Sequence, residues 1–172
     1  IMHPDADKIT VASGLKVKYR GVFDLGDFYK KLKMWLEAEG YGDEAKNFKE
    51  AKYKESIKPY GKNIDIKWVA EKNKSDYFSY NLTLTFRILG LQDTEVQYEA
   101  KKIKANKGEV EVKLSADLIK NRQGKWSKNS IIKKIYENLI INKRIEEYKL
   151  DVYKIAYKLH DEMKLYLNLP RY

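Results

Sequence analysis

The fold is decided by residues 130–169, which read SIIKKIYENLIINKRIEEYKLDVYKIAYKLHDEMKLYLNL. Apolar residues recur along this stretch at steps of three and four, the spacing of an apolar stripe on one face of a helix. The stripe consists of Ile141, Ile145, Tyr148, Val152, Ile155, Leu159, Met163 and Tyr166. No Gly or Pro interrupts the stretch before Pro170. The sequence therefore predicts one very long C-terminal helix, or two helices end to end.

The predicted helix is longer than a domain of this size is wide. At about 1.5 Å per residue the stretch would extend about 60 Å, whereas a compact domain of this length is about 30–35 Å across. The phase of the stripe shifts over residues 139–142, from Leu139 to Asn142. We therefore expect a break in the helix at this point. The alternative is that one half projects from the domain and pairs with another chain.

A second helix is indicated near the N-terminus. Asp24 is suited to cap its first turn. Phe28 and Leu32 then fall on one face, and Gly40 is the type of residue that ends a helix. Residues 43–51 are predicted as a further short helix.

The rest of the chain alternates between apolar and polar residues, which is typical of strands with one buried face. Six strands are predicted, over residues 15–23, 53–58, 64–71, 77–88, 96–100 and 110–118. A hairpin turn is predicted at residues 106–108, which read Asn-Lys-Gly.

Together these patterns predict an α+β fold. A single antiparallel sheet of about six strands packs against the long C-terminal helix and one N-terminal helix, since its apolar face has to be covered. Residues 1–13 show no periodicity and are expected to form a flexible arm, so that residues 14–172 make one domain.

The order of elements over residues 15–169 resembles the helix-grip arrangement of START-type and Bet v 1-type proteins, in which a curved antiparallel sheet wraps a C-terminal helix. The resemblance rests on element order and not on a sequence motif. It implies a ligand site between sheet and helix, because members of that superfamily commonly bind hydrophobic ligands there. Some members are cyclases or hydrolases, but a shared fold does not transfer function.

Composition favours a basic cytoplasmic protein. The formal net charge of +10 suits anionic partners such as nucleic acid, acidic protein or an anionic membrane surface. The absence of Cys excludes disulfides, thiolate catalysis and Cys-based zinc sites. No apolar run approaches the length of about 18 residues that a transmembrane helix needs. The sequence begins with Ile1 rather than Met, which leaves open whether residues precede it.

Few residues indicate chemistry. The two histidines, His3 and His160, lack metal-ligand spacing, and neither a metal nor a cofactor is expected. Glu55 falls on a core-facing strand position, where it is either a buried acid or, as we favour, a residue of a sheet edge that reaches solvent. No catalytic constellation emerges, so we do not expect an enzyme.

The apolar face of the predicted sheet is rich in aromatic residues. With the facing helix it forms a hypothetical ligand pocket of Trp68, Phe78, Tyr80, Phe86, Tyr98, Val152 and Ile155. Tyr and Trp carry polar groups that could orient a ligand within an apolar wall. The same residues equally suit a filled core.

Positive charge is concentrated in residues 101–128, which contain nine Lys or Arg against three acids. The hypothetical anion-binding residues are Lys101, Lys102, Lys104, Lys107, Lys120, Arg122, Lys125 and Lys128. We expect them to gather at the two ends of the last hairpin. Because Lys acts as a point charge, base-specific recognition is not expected.

Three functions remain open. The leading prediction is a non-enzymatic module that holds a hydrophobic small molecule or lipid between the sheet and the C-terminal helix. The first alternative is an adaptor that binds nucleic acid or an acidic protein through residues 101–128. The second is an assembly protein that forms a homo-oligomer through the long C-terminal helix.

Overall fold

The computed structural model describes residues 2–41 and 47–168. The strands are β1 (Asp7–Phe23), β2 (Phe48–Lys58), β3 (Gly61–Asn73), β4 (Phe78–Tyr98) and β5 (Lys101–Lys120). The helices are α1 (Leu25–Ala38), α2 (Ile131–Ile135) and α3 (Asn142–Asn168), with a π-helix (Tyr136–Ile140) between α2 and α3.

The five strands form one antiparallel sheet in the order β1-β5-β4-β3-β2. The structure confirms the predicted α+β class, with one N-terminal helix and a long C-terminal helix packed against a single antiparallel sheet. The predicted number of strands is one too high, because the two segments expected at 77–88 and 96–100 are a single strand, β4. A bulge near Gly90 (φ +62°) shifts the register between Leu89 and Gln92 without ending the strand.

The predicted turn at residues 106–108 was wrong. This stretch lies within β5, and the hairpin turns at Glu99 and Ala100, whose φ angles are +45° and +64°. Gly108 faces the bulge of β4, where an added Cβ would lie 3.1 Å from the Leu89 carbonyl oxygen. The glycine that suggested a turn therefore accommodates a close approach of two strands.

The first strand is longer than its alternating core. β1 begins at Asp7, opposite Lys120, and thus includes half of the segment expected to be a flexible arm. Irregular pairing around residues 10–15 interrupts the alternation of apolar and polar residues there. The start of the strand could therefore not be predicted from hydrophobic periodicity. Of the short helix predicted over residues 43–51, positions 43–46 lie outside the described residues, and the part from Phe48 onward belongs to β2.

Helix α1 covers one part of the sheet as its sequence predicts. The Asp24 carboxylate accepts a hydrogen bond from the Asp27 amide at 3.0 Å and caps the first turn. Phe28 is fully buried, and its ring lies 6.3 Å from that of Phe86 on β4. Gly40 follows the helix with φ +90°.

The C-terminal stretch breaks where the phase of its stripe shifts, at Ile141 (φ −115°, ψ 8°). Beyond the break, α3 crosses the same sheet face as α1. The ring of Tyr148 lies 5.0 Å from that of Phe78, and the ring of Tyr166 lies 5.0 Å from that of Phe28. This face of the sheet, called the inner face below, and the two helices enclose one core cluster. The opposite, outer face carries no helix in the described part of the chain.

Candidate functional site

Residues 131–140, comprising α2 and the π-helix, are turned inside out and are called the inverted segment below. Two of the three charged side chains, Lys133 and Glu137, are buried, at 5% and 7% exposure, whereas Lys134 is exposed. Their large aliphatic side chains are at least half exposed, from 50% for Ile135 to 76% for Leu139. The exposed aliphatic set is Ile131, Ile132, Ile135, Leu139 and Ile140. A surface helix normally has the opposite arrangement.

The helix geometry brings these aliphatic residues onto one face. In α2, residues four apart share a face, which places Ile135 beside Ile131. The π-helix that follows closes its hydrogen bonds between residues i and i+5. Residues four and five apart therefore share a face, which keeps Leu139 and Ile140 aligned with Ile135. The Ser130 hydroxyl accepts from the Lys133 amide at 3.4 Å and starts the segment.

The buried side of the inverted segment is held by a charge cluster. Glu137 accepts hydrogen bonds from the Tyr77 hydroxyl at 2.5 Å and from the Lys120 ammonium at 2.6 Å. The Lys133 ammonium lies 3.7 Å from Glu137 and also pairs with Asp7. Two carboxylates and two ammonium groups thus balance in a site that is largely closed to water, as buried charges require.

The environment of the cluster also affects the pKa of Tyr77. Burial, followed by the hydrogen bond to the Glu137 carboxylate, raises the pKa of the Tyr77 phenol above its ordinary value. Tyr77 also makes an edge contact with Tyr136, at 5.2 Å between ring centroids. The cluster therefore joins the start of β4 to the π-helix through both charge and aromatic packing.

The loop before the inverted segment is fixed by a buried Asn121 with φ +53°. Its side-chain amide donates to the carbonyl oxygens of Asp5 at 2.9 Å and Trp126 at 2.7 Å. Its side-chain oxygen accepts from the Trp126 amide at 3.2 Å. This side chain replaces backbone partners in the loop and so sets the direction in which the chain enters α2.

The rim of the aliphatic face is basic. Its exposed charged residues are Lys128 and Lys134 on one part, and Lys143 and Arg144 beyond the break. Glu137 is the one acid within residues 128–144, and it points into the charge cluster. The aliphatic side chains are therefore accompanied along the chain by exposed cations, with no exposed acid within residues 128–144.

The residues proposed for a ligand pocket are mostly brought together, but as a packed layer. Trp68 is fully buried, and its ring contacts those of Tyr29, Phe48 and Phe86 at 4.7–5.2 Å between centroids. Phe78, Tyr80 and Val152 are also buried, and Ile155 packs partly buried against the same cluster.

Tyr98 lies apart from the other six predicted pocket residues. It is 45% exposed at the tip of the β4–β5 hairpin, beyond the bulge that shifts the alternation. Four of the clefts on the described part of the surface have volumes of about 310–530 Å³, and none of these four is lined by any of the seven residues. The binding of a hydrophobic ligand between sheet and helix stays a prediction, because none of these clefts is the proposed pocket.

The residues proposed for anion binding lie at opposite ends of β5. Lys101, Lys102, Lys104 and Lys107 are at the hairpin tip, where Glu95 stands opposite Lys104 and Asp93 opposite Asn106. The other four lie at or beyond Lys120, between about 40 and 60 Å away along an extended strand. The eight residues therefore do not form one surface.

At the far end of β5 several of these cations are already engaged. Lys120 is bound to Glu137, and the Arg122 guanidinium donates to the Ser75 carbonyl. Lys125 stands over the ring of Trp126, 5.2 Å from its centroid. These three cations thus already interact with groups of the protein itself, in the loop and in the charge cluster.

Two further candidate residues have structural partners. Glu55 is exposed on edge strand β2 and pairs with Lys62 at 3.1 Å. His160 contacts the Lys16 carbonyl oxygen at 3.1 Å. Within the described ranges, no three His, Asp or Glu side chains are grouped so that they could hold a metal ion.

Comparison with known proteins adds no assignment: the sequence matches no family model, and no curated protein matches it significantly. None of the helices in residues 2–41 and 47–168 combines the length and apolar character that a membrane crossing needs.

Proposed function

We propose that this chain is a non-enzymatic assembly module that pairs with a second copy of itself through the aliphatic face of the inverted segment. The observation that carries the proposal is the inversion itself. Isolated exposed aliphatic residues are common, but five on one face of ten residues form a contiguous patch of the kind found at interaction sites.

Burial of this face supplies a substantial driving force. Fully burying an aliphatic side chain is worth about 1.5–3 kcal/mol, so burying the exposed fractions of these five is worth about 5–10 kcal/mol. A two-fold dimer uses the same patch on both copies, which doubles the gain to about 10–20 kcal/mol. Association itself costs about 4–15 kcal/mol. The midpoints of these two ranges leave about 5–6 kcal/mol, so we expect a weak dimer with a dissociation constant on the order of 100 μM.

A second surface on the same part of the chain also favours helix pairing. On α3, Leu150, Tyr153 and Tyr157 are 38–51% exposed at spacings of three and four. They flank the buried side of α3 that carries Val152 and Ala156. The rings of Tyr153 and Tyr157 pack 4.5 Å apart, and exposed Tyr is enriched at protein interfaces. Helix α3 thus offers a partly exposed apolar strip next to its buried face.

Sedimentation equilibrium tests the proposal. The wild-type mass should rise with concentration from 20.3 kDa toward twice that value. Ile135→Ser combined with Leu139→Ser should keep the chain monomeric, because it places two hydroxyls in the centre of the patch. Ile57→Ser is the matched control, since Ile57 is 82% exposed on edge strand β2. A wild-type chain that stays monomeric at high concentration would rule out the dimer.

The effect of salt separates a second copy from an anionic partner. Two copies that each carry +10 repel one another, and salt screens that repulsion, so self-association should strengthen as salt is added. Binding of the basic rim to an acidic protein or an anionic lipid surface would weaken instead. Association with anionic vesicles that is lost in the Ile135→Ser/Leu139→Ser variant, without a dimer, would assign the patch to lipid and overturn the self-pairing.

A further inference from the structure

A row of lysines crosses the outer face of the sheet at one level of the strands. The backbone register places Lys16 opposite Lys113, Lys113 opposite Thr85, Thr85 opposite Lys67 and Lys67 opposite Lys52. These five residues, one from each strand, are called the lysine row below. Neighbouring strands are about 4.8 Å apart, so the row extends about 19 Å. All four lysines are exposed.

The lysine row is unfavourable for the fold. Like charges directly opposite one another in a sheet destabilise it, and the row contains two such pairs. The carboxylate of Glu111 offsets the first pair, lying 3.2 Å from Lys16 and 3.7 Å from Lys113. Within the described chain, no carboxylate forms an ion pair with Lys52 or Lys67.

The adjacent level of the sheet shows that this is not a general property of the face. Two residues further along each strand, on the same face, a second set of residues stands opposite one another. The sign of the charge alternates from strand to strand in this set, which consists of Lys18, Glu111, Arg87, Asp65 and Lys54. Opposite charges across strands stabilise a sheet. Of these two levels, the lysine row therefore carries the larger excess of positive charge, with four lysines and no acid among its own five residues.

We propose that the lysine row binds the phosphate backbone of a double-stranded nucleic acid. Lys is a common phosphate ligand and binds it as a point charge, whereas the row lacks the Arg that bidentate recognition of carboxylate or phosphate would use. The row also has no aromatic side chain on which an unpaired base could stack, which disfavours a single strand. Its length exceeds the width of about 12 Å of the major groove of B-DNA, so lysines at its two ends can reach phosphates on both sides of the groove.

The contacts made by such a surface carry no base specificity, because they involve phosphate and not base edges. Binding should therefore be uniform across sequences and strongly dependent on salt. Four phosphate contacts give a slope of log K against log [salt] of about −3.6. The affinity should then fall about 100-fold between about 50 and 200 mM salt.

The test uses the full chain and a fluorescently labelled, mixed-sequence DNA duplex, with anisotropy measured across this range of salt. Lys52→Gln combined with Lys67→Gln should reduce the magnitude of the slope by about 2, so that the same change in salt lowers affinity only about tenfold. Lys101→Gln combined with Lys102→Gln is the matched control, because either double variant lowers the net charge from +10 to +8. The control should leave the slope nearly unchanged.

Two results would overturn the proposal. If both double variants reduce the slope equally, binding follows net charge and not the lysine row. If polyglutamate binds as tightly as the duplex and with the same dependence on Lys52 and Lys67, the surface is one for acidic protein. Duplex RNA of the same sequence distinguishes the two sources of backbone phosphate, and binding of either duplex through the row supports the proposal.

A stability measurement guards against a trivial loss of binding. Removing Lys67 relieves its repulsion from Lys52, so the urea midpoint of Lys67→Gln should rise while its affinity for the duplex falls. If both the urea midpoint and the affinity for the duplex fell, these lysines would stabilise the folded chain, and the loss of binding would follow from the loss of stability. The lysine row lies on the face of the sheet opposite the helices, so the Ile135→Ser/Leu139→Ser variant should retain the wild-type salt slope.

Discussion

The Glu137→Ala variant tests how the inverted segment is held. This change removes the acceptor of the Tyr77 hydroxyl and the ion-pair partner of Lys120. It also leaves Lys133, which is 5% exposed, with Asp7 as its remaining ion-pair partner. An apolar side chain thus replaces the carboxylate at the centre of the charge cluster.

The expected cost follows from what remains buried. Removing one partner from a buried ion pair costs about 3–5 kcal/mol, because the other charge stays desolvated. Lys120 can partly rehydrate, since its side chain is 19% exposed, but the side chain of Lys133 is 6% exposed and cannot. We therefore expect Glu137→Ala to lower the free energy of unfolding by about 3–5 kcal/mol. Glu137→Gln keeps a carbonyl acceptor for Tyr77 and should cost less, about 1.5–3 kcal/mol.

Urea unfolding followed by circular dichroism measures these values. The matched control is Glu146→Ala, which removes a carboxylate that is 73% exposed and lies 3.1 Å from Lys149. An exposed pair of this kind contributes at most about 1 kcal/mol. If Glu137→Ala costs no more than Glu146→Ala, the segment is not anchored by its charged side in solution, and the argument for an exposed aliphatic face fails with it.

Other perturbations test the sheet and its buried phenols. Burial raises the pKa of Tyr29 to about 12 and also raises those of Tyr77 and Tyr80. The unfolded chain loses these phenol protons above about pH 10 while the folded chain keeps them, so the urea midpoint should fall from pH 10 upward. A midpoint that does not change between about pH 10 and 12 would contradict this burial. Gly61→Ala should destabilise more than Gly14→Ala, which costs about 1–2 kcal/mol for its positive φ alone. An added Cβ at Gly61 would lie 2.8 Å from the backbone of the β4 bulge, whereas none lies within 4 Å at Gly14. Equal unfolding midpoints for the two variants would show that the strands do not approach so closely.

Periodicity was sufficient for the elements that have one regular face. The alternation of Phe78, Leu82 and Phe86 and the capped pattern after Asp24 predicted a strand and a helix, because burial acts on each face separately. The bulge at Gly90 and the turn at Glu99–Ala100 could not be predicted in this way. A single extra residue shifts the alternation as a turn would, and Glu-Ala has none of the glycine or asparagine that normally indicates a tight turn.

The candidate site was predicted only in part. The phase shift at residues 139–142 indicated the break, and the structure has it at Ile141. The inversion had no such signal, because Lys133 and Glu137 stand four residues apart like any solvated ion pair on a helix. Their partners Asp7 and Lys120 lie on strands β1 and β5 and not on the helix itself. Hydropathy separates the apolar face of a helix from its charged face. It cannot show which of the two faces the core when strands supply buried charges of opposite sign.

The lysine row also depends on pairing that local sequence does not contain. Each of its lysines belongs to an ordinary alternating strand, and the row appears only when the register of five strands is known. The concentration of charge in residues 101–128 was visible in the sequence, but β5 separates its two halves. Local charge density was therefore a poor guide to charge density in space.

The most direct test of self-pairing uses the absence of cysteine from the chain. Single variants Ile135→Cys and Ile57→Cys place one thiol in the aliphatic patch or on the edge of β2. Each is treated with a short bismaleimide at a concentration where wild type is dimeric. A two-fold pairing of inverted segments predicts rapid covalent dimerisation of Ile135→Cys, and slow, collision-limited coupling of Ile57→Cys. Equal coupling of the two variants would contradict an interface at this segment.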